Sequence, residues 1–419
     1  MSQRRRVVGL LSVALATSSC GARAVSVAGP SAVAKDDAQG PSGHLQQACE
    51  RGDASACTRL GEMVEHGTEV PKDEARAVAL YERACAGGSS PGCNDLGAMV
   101  ASGRGVAKDP ARARDAFQRA CDGGEATACD SAGLLYADGP GADLPRAVTL
   151  FTRACEGGGA RGCTHLGLMW EWGRGVEKDE KRAAGFLEQG CNGGSAPGCT
   201  SLGEMCAKGR GMTRDDARAL TLFTRACTGG DAKGCGNLGV FFRDATGVAR
   251  DDARAVTLFT QACDGGDAAG CTNLGTAYER GVGVGVDVTR AASLYQRGCD
   301  GGEATACANL GTLYVQGTGL PKDEGRAFTF LKRGCDGGDP TGCSNLGVLY
   351  EKGWGVPADL ATATRLYRQG CVGGFHGACE SLKRLASEPA CPVECRRLFK
   401  EHALKDGMTV EACIASLCH

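Results

Sequence analysis

Ten cysteine pairs, each with seven residues between its members, divide most of this chain into equal lengths. They are Cys49/Cys57, Cys85/Cys93, Cys121/Cys129, Cys155/Cys163, Cys191/Cys199, Cys227/Cys235, Cys263/Cys271, Cys299/Cys307, Cys335/Cys343 and Cys371/Cys379. Successive pairs stand 36 residues apart, except for one step of 34 at Asp138-Gly-Pro-Gly-Ala-Asp143, where a loop is shorter by two. A period of this size indicates a solenoid of helical hairpins: one unit cannot bury its apolar face alone and must stack on the next. The expected fold is therefore all-α, an α/α superhelix.

Each period holds two helix patterns. The first begins near the second cysteine, as in Cys271-Thr-Asn-Leu-Gly-Thr-Ala-Tyr-Glu-Arg. Leu274 and Tyr278 share a face, and Gly275 is small enough for close approach of a partner helix. Gly281 stops the helix in a left-handed cap. The Gly-x-Gly-Val loop that follows in most repeats comes after a helix and ends in no Lys-Ser/Thr, so it is no phosphate loop. The second helix starts at an Asp in all nine periods, for example Asp251, Asp287 and Asp323, and Asp is a natural N-cap. An Arg-Ala step follows three residues later, as in Arg254-Ala255, and fails at Thr362-Ala363. This Arg reads as a solvated or interhelical ion-pair residue. Leu258 and Phe259 supply the apolar face, and Gly265-Gly266 closes the unit.

The flanks differ. Arg4-Arg5-Arg6 precedes an apolar run from Val7 to Ala16, too short for a membrane-spanning helix but suited to a secretory signal. Thr17-Ser18-Ser19-Cys20 resembles a bacterial lipoprotein signal, with Thr17 where that signal has Leu. Cys20 would then carry the lipid. Ordinary cleavage after Ala22-Arg23-Ala24 is the competing reading. These features divide the chain into a signal peptide (1–19), an anchor site and flexible tether (20–43), a solenoid (44–387) and a cysteine-rich tail (388–419). The expected place is the bacterial envelope, facing the periplasm or the cell surface, or otherwise the secreted fraction.

Composition narrows the function classes. A net charge of −2 over 419 residues offers no broad basic face for nucleic acid. Aromatics are scarce at 5% and glycines abundant at 66, which suits many small, closely packed helices. With 26 cysteines and an export signal, an oxidising compartment and disulfides are expected.

The 36-residue period, Leu-Gly-x-x-Tyr, Gly-x-Gly-Val, Asp-x-x-Arg-Ala and the terminal Ala-Cys together resemble the Sel1-like repeat, a relative of the tetratricopeptide repeat. With Cys-x7-Cys in every period, the chain is similar to the secreted cysteine-rich, Helicobacter-type group. The resemblance covers about Gly43 to Leu385, as nine full repeats and a half-repeat at each end. It implies one disulfide within each cysteine pair. Such a bond would clip the last turn of a second helix to the first turn of the next helix, with the Gly-Gly permitting the tight turn. Each small ring would contribute about 2–3 kcal/mol. Zinc ligands, by contrast, stand two to four residues apart, a poor fit to seven. Cys206 occupies the Tyr278 place in its repeat and reads as a buried, inert thiol. In the tail, Cys395 would pair with Cys413 and Cys391 with Cys418, stapling a helical hairpin. A four-cysteine metal knot is the alternative there. No cofactor is expected.

Function would sit on the first helices, which line the concave face of such solenoids. Asn237, Asn273, Asn309 and Asn345 stand two residues after the second cysteine, where earlier repeats have Arg59, Asp95, Ser131, His165 and Ser201. In tetratricopeptide relatives an Asn there can bond the backbone of an extended peptide, and an amide both donates and accepts. The competing reading has these amides satisfying neighbouring groups or facing water. Trp170 matches the Tyr core place, while Trp172 and Trp354 are either exposed anchors or local packing. The expectation is an interaction scaffold for peptides or envelope proteins. The resemblance also implies an alternative, weak penicillin binding or β-lactamase-type hydrolysis. The Ser-x-x-Lys, Ser-Asp-Asn and Lys-Thr-Gly set of the serine enzymes is missing, and the six histidines (44, 66, 165, 376, 402, 419) form no close pair in sequence. A Ser/His/Asp set drawn from separate repeats is left open by the sequence.

Overall fold

The computed structural model describes residues 40–138 and 141–387, with the side chains of 386 and 387 excepted. The signal segment, Cys20, most of the tether, and the tail with Cys391, Cys395, Cys413 and Cys418 lie outside the described residues.

Among the described residues all regular structure is helical, in twenty helices. They are α1 (Pro41–Glu50), α2 (Ala54–His66), α3 (Glu74–Ala86), α4 (Ser90–Ser102), α5 (Pro110–Asp122), α6 (Ala126–Ala137), α7 (Leu144–Glu156), α8 (Ala160–Trp172), α9 (Glu180–Asn192) and α10 (Ala196–Lys208), followed by α11 (Asp216–Thr228), α12 (Ala232–Asp244), α13 (Asp252–Asp264), α14 (Ala268–Arg280), α15 (Val288–Asp300), α16 (Ala304–Gln316), α17 (Glu324–Asp336), α18 (Pro340–Lys352), α19 (Leu360–Val372) and α20 (His376–Ser387). The pairs α2/α3 through α18/α19 are nine hairpins, with α1 and α20 as half-repeats at the ends. α1 begins at Pro41, just inside the stretch read as tether.

The second helix of every hairpin starts as expected. Asp251 Oδ1 accepts from Arg254 N at 2.9 Å, and the corresponding Asp caps the other eight in the same way. Losing such a cap costs about 1 kcal/mol. The first helices correct the expectation, because they start about one turn before the cysteine. Asp267 caps α14 by accepting from Gly270 N at 2.8 Å, so Cys271 is already the fourth residue of the helix. Cys57, Cys93, Cys129, Cys163, Cys199, Cys235, Cys307, Cys343 and Cys379 hold the same fourth place in α2, α4, α6, α8, α10, α12, α16, α18 and α20. The residue ahead of the helix, not the cysteine, sets the boundary. Most first helices end in a left-handed glycine, such as Gly281 at φ 69°. At the end of α12 that role falls to Ala245, whose φ of 56° is strained for a residue with a Cβ.

Packing inside a hairpin turns on the Leu-Gly step. A Cβ placed on Gly275 would lie 2.8 Å from the Tyr295 ring, and one on Gly97 2.6 Å from Phe117. Each second helix thus lays a large side chain on a glycine of its partner. The alanine of each Arg-Ala step is fully buried beside it, as Ala219 and Ala291 are.

Adjacent hairpins are joined by the clips. Every cysteine pair is a disulfide: Cys49–Cys57, Cys85–Cys93, Cys121–Cys129, Cys155–Cys163 and Cys191–Cys199 in the first half, then Cys227–Cys235, Cys263–Cys271, Cys299–Cys307, Cys335–Cys343 and Cys371–Cys379. Their Cα–Cα separations are 4.3–4.8 Å. The sulfurs are therefore committed to bonds with each other rather than to metal or ligand, and their part is structural. A second joint is formed by an arginine near the end of the second helix. Arg297 Nη2 donates to the Cys263 carbonyl at 2.9 Å, one repeat back. Arg83, Arg119, Arg153, Arg225 and Arg333 do the same to Cys49, Cys85, Cys121, Cys191 and Cys299. Gln189, Gln261 and Gln369 replace the arginine in three repeats, and their amides lie against the sulfurs of Cys155, Cys227 and Cys335. The six clasped cysteines are 0–1% exposed, whereas Cys155 reaches 8% and Cys227 is half-buried.

Successive first helices pack against one another along the array, α6 on α8 and α16 on α18 most closely, while among second helices α3 and α5 are the pair in close contact. The first helices therefore form the inner, concave side.

Candidate functional site: the inner face of the superhelix

On a first helix the residues flanked by core positions recur at i, i+4, i+7 and i+11 and point away from the second helix. In α14 these are Ala269, Asn273, Thr276 and Arg280. The four asparagines all fall in this register and are half-buried.

Three of them also bond the preceding first helix. Asn237 Nδ2 donates to Glu204 Oε1 at 3.1 Å, Asn273 Oδ1 accepts from Arg243 Nη1 at 3.0 Å, and Asn345 Nδ2 donates to Thr312 Oγ1 at 2.9 Å. Among the described residues the other end of each of these amides makes no side-chain hydrogen bond. Neighbours therefore satisfy part of the ladder. Around Asn309 the middle of the register is uncharged, with Asn273 and Thr276 on α14, Thr305, Thr312 and Gln316 on α16, and Thr341, Asn345 and Val348 on α18, while Arg280 and Lys352 stand at the C-terminal ends of α14 and α18. This surface offers amides and hydroxyls in a row, about 10 Å apart as helix packing dictates.

The same register is charged in the earlier repeats. Arg59 and Glu62 lie on α2 and Asp95 on α4. Burial raises the Asp95 carboxyl to about 6, helped by Glu62, Glu65 and Glu125 and opposed by a hydrogen bond from Asn94 at 3.3 Å. On α8, His165 Nδ1 lies 2.5 Å from Asp130 Oδ1, and Arg161 Nε stands 3.5 Å from the same carboxylate. Asp130 is 3% exposed. It stands where other first helices carry Thr58 or Thr164, whose hydroxyls bond the next N-cap, Ser89 or Ser195. The next N-cap here is Gly159, with no side chain to offer, and Asp130 turns to His165 and Arg161 instead. This His–Asp pair joins residues 35 apart in sequence, one of the contacts between separate repeats that the sequence leaves open. His165 turns its Nδ1 side to Asp130, and Ser131 Oγ donates to Thr127 O at 3.0 Å; among the described residues no hydrogen bond links His165 to a hydroxyl. Among the described residues no group of three or more metal-ligating side chains gathers.

The remaining residues singled out in the sequence fall as follows. Cys206 is fully buried with its sulfur against Met212, and burial pushes its thiol up, away from reactivity. The arginine of the Arg-Ala step does more than pair ions: Arg182, Arg254 and Arg290 lie over the rings of Trp170, Phe242 and Tyr278 at 4.8, 4.2 and 4.4 Å. Arg218 instead pairs with Glu188 of the preceding repeat; its ring place is taken by Cys206. Trp354 packs locally under Lys322. Trp172 is 67% exposed. Behind the inner face, Tyr81, Tyr295 and Tyr367 donate to Glu65, Glu279 and Glu351 at 2.6–2.8 Å.

Comparison with known proteins follows this architecture. The family model of the Sel1 repeat matches nine times, over 54–89, 90–125, 126–159, 160–195, 196–231, 232–267, 268–303, 304–339 and 340–373. No curated protein matches. Among solved structures the chain is similar to c5321, described as a protective antigen of uropathogenic Escherichia coli strains with an SLR fold, at 25% identity and a TM-score of 0.53, over 81% of each chain. It is similar to a Sel1 repeat protein from Oxalobacter formigenes at 23% identity and a TM-score of 0.50, over 54% of this chain and 91% of that one. Cysteine rich protein B of Helicobacter pylori aligns at 28% identity with a TM-score of 0.28, over 31% of this chain and 96% of that one. The ten disulfides fit an oxidising compartment, and no described helix is long and apolar enough to cross a membrane. With nine consecutive matches across residues 54–373, this chain belongs to the Sel1 repeat family.

Proposed function

We propose that this protein is an exported interaction scaffold that holds extended peptide segments of envelope proteins along its inner face, chiefly over α14, α16 and α18. One observation carries the reading: the amide ladder centred on Asn309, with charge only at the helix ends in Arg280 and Lys352, in which Asn273 keeps its donors and Asn345 its acceptor oxygen free for a backbone. A peptide main chain presents alternating N–H and C=O groups, and an amide meets either. Side chains of the bound strand need not be read. Signal cleavage before Cys20, acylation of Cys20 and the tether up to residue 43 would set the scaffold off the membrane, and the stapled tail at 388–419 would close the array.

The test is capture of an envelope protein by purified chain, compared with the Asn273→Ala/Asn309→Ala variant. A loss of about tenfold in apparent affinity with an unchanged melting temperature supports the groove, since two hydrogen bonds are removed. Equal capture by both proteins removes it. Labelling cells with a fatty-acid analogue, with and without Cys20→Ala, checks the anchor: label that survives the substitution excludes it. Nitrocefin turnover by purified protein tests the hydrolase alternative, which predicts loss of turnover on a single substitution.

A further inference from the structure

We propose that α8, with its neighbour α6, forms a second docking site on the inner face, for an acidic peptide segment carrying one large apolar side chain. Trp172 is the last residue of α8 and is 67% exposed. The other first helices place polar groups at its register, among them Lys208, Arg280 and Lys352. Leu168 lies one turn before it on the same helix face. Leu134 takes the Leu168 register on α6 and is 37% exposed. Two of the large apolar side chains exposed among the described residues thus fall about one turn apart in register on neighbouring first helices, with half-buried Leu168 at the level of Leu134. An exposed Trp beside aliphatic side chains is the composition of an interface anchor.

The charges beside this patch choose the partner. Arg174 follows two residues after Trp172 and is fixed by a 2.9 Å bond to the Ala137 carbonyl at the end of α6. Lys208 is exposed on α10 at the Trp172 register, and among the described residues no carboxylate pairs with it. The nearby carboxylate of Glu171 is 4% exposed and already bonded to Arg210 at 2.6 Å, so it does not face a ligand. At the other end of the stripe, about 16 Å away by helical rise, stands Arg161, its side chain 72% exposed. Two more carboxylates share this register: Glu204 on α10 is taken by Lys233 at 2.7 Å and Asn237 at 3.1 Å, and Asp138 stands at the Trp172 level of α6. With Glu204 neutralised, Arg161, Arg174 and Lys208 outnumber Asp138, and an apolar anchor between these cations complements a short strand with a central Phe or Leu and flanking Asp or Glu. The site is independent of the amide ladder, which is centred on α16, four repeats away.

The experiment uses the mature full-length protein and a fluorescein-labelled decapeptide with central Phe-Leu flanked by Asp and Glu, followed by anisotropy. Binding is expected to weaken at least about tenfold in Trp172→Ala, as for an aromatic anchor, and several-fold in Lys208→Glu. It is expected to be unchanged in Asn273→Ala/Asn309→Ala, so that failure here and failure of the ladder are told apart. The same peptide with Asn and Gln for its acids should bind at least about tenfold more weakly. No binding to the wild-type chain, binding insensitive to Trp172→Ala, or equal binding of the neutral peptide each overturns the proposal. Trp172-dependent self-association in sedimentation, or Trp172-dependent binding to vesicles containing phosphatidylglycerol, with no peptide binding, would assign the face to another occupant and overturn it as well.

Discussion

The first five hairpins and the last four present the same helical register to the inside of the curve and fill it with different chemistry. From α2 to α10 it holds Arg59, Asp95, Ser131, His165 and Ser201, with Glu62, Asp130 and Glu204 beside them. From α12 to α18 the matching position holds four asparagines, and charge is confined to the helix ends in Lys233, Asp244, Arg280 and Lys352. The framework does not change between the halves: the clip, the glycine under the large side chain, the buried alanine and the Asp cap recur in both. A solenoid separates the positions that build a repeat from those that meet a partner, because each hairpin contacts little beyond its neighbours. Recognition can then vary along the array at little cost to the fold. The α8 stripe with Trp172 and the ladder at Asn309 are two results of that freedom.

The strongest way to test that separation is to break the framework on both sides. Removing the clip Cys85–Cys93 or the clip Cys299–Cys307 by paired Cys→Ser substitution should cost about 2–3 kcal/mol in either half, read from urea unfolding. A large difference between the two would show that the joints are not equivalent. Next, Asn309→Asp/Asn345→Asp gives the later half the charge of the earlier one. Capture by the ladder should fall on the order of tenfold or more through unpaired carboxylates facing the bound backbone, with melting little changed.

The halves should also part in their response to acid. Asp95 has a folded pKa of about 6 against an ordinary 3.8, so its contribution is present below 3.8 and is lost as pH rises through 6. Glu351, at the far end, goes the other way. Burial would raise its carboxyl, but Lys352, Arg384 and Tyr367 outweigh that and hold it at about 2. Its contribution is present above the ordinary 4.5 and is lost as pH falls toward 2. Lowering pH from 6.5 to 4 should therefore stabilise the early repeats locally, seen as slower hydrogen exchange in α2–α5 after correction for intrinsic rates. Asp95→Asn should abolish that change and stabilise the chain at pH 7 by on the order of 1–3 kcal/mol.

The smallest effect concerns the arginine clasp. Arg297→Gln should cost about 0.5–1.5 kcal/mol, and Gln261→Arg should recover a similar amount. Under a phosphine reductant, the clips Cys155–Cys163 and Cys227–Cys235, whose first cysteines are the more exposed, should open before the clasped ones. Mass spectrometry after alkylation reads the order, and a random order would remove the clasp's role as a shield.

The repeat was legible because period, caps and stops are local signals. Asp251 caps the helix it precedes, Gly281 ends one, and Cys263 meets Cys271 eight residues on. α14 starts about a turn before the cysteine because Asp267, three residues ahead of Gly270, caps it. What stayed hidden acts across repeats. Arg297 reaches the Cys263 carbonyl and His165 reaches Asp130 over 34 and 35 residues, distances that no short motif spans. The Arg254 stack on Phe242 is likewise absent from the local pattern, because nothing local says which face a ring presents. For the asparagines, the sequence placed all four in one register but could not show that Glu204, Arg243 and Thr312 share them.

The most direct measurement places a photo-crosslinking residue at position 309, on the inner face of α16, or at position 329, exposed on the outer helix α17, in otherwise native protein. Envelope extract is then irradiated with each. A defined adduct from position 309, mapped to an extended segment of one envelope protein and absent from 329, is the expected result. Adducts from 329 alone, or the same adducts from both positions, contradict peptide binding on the inner face.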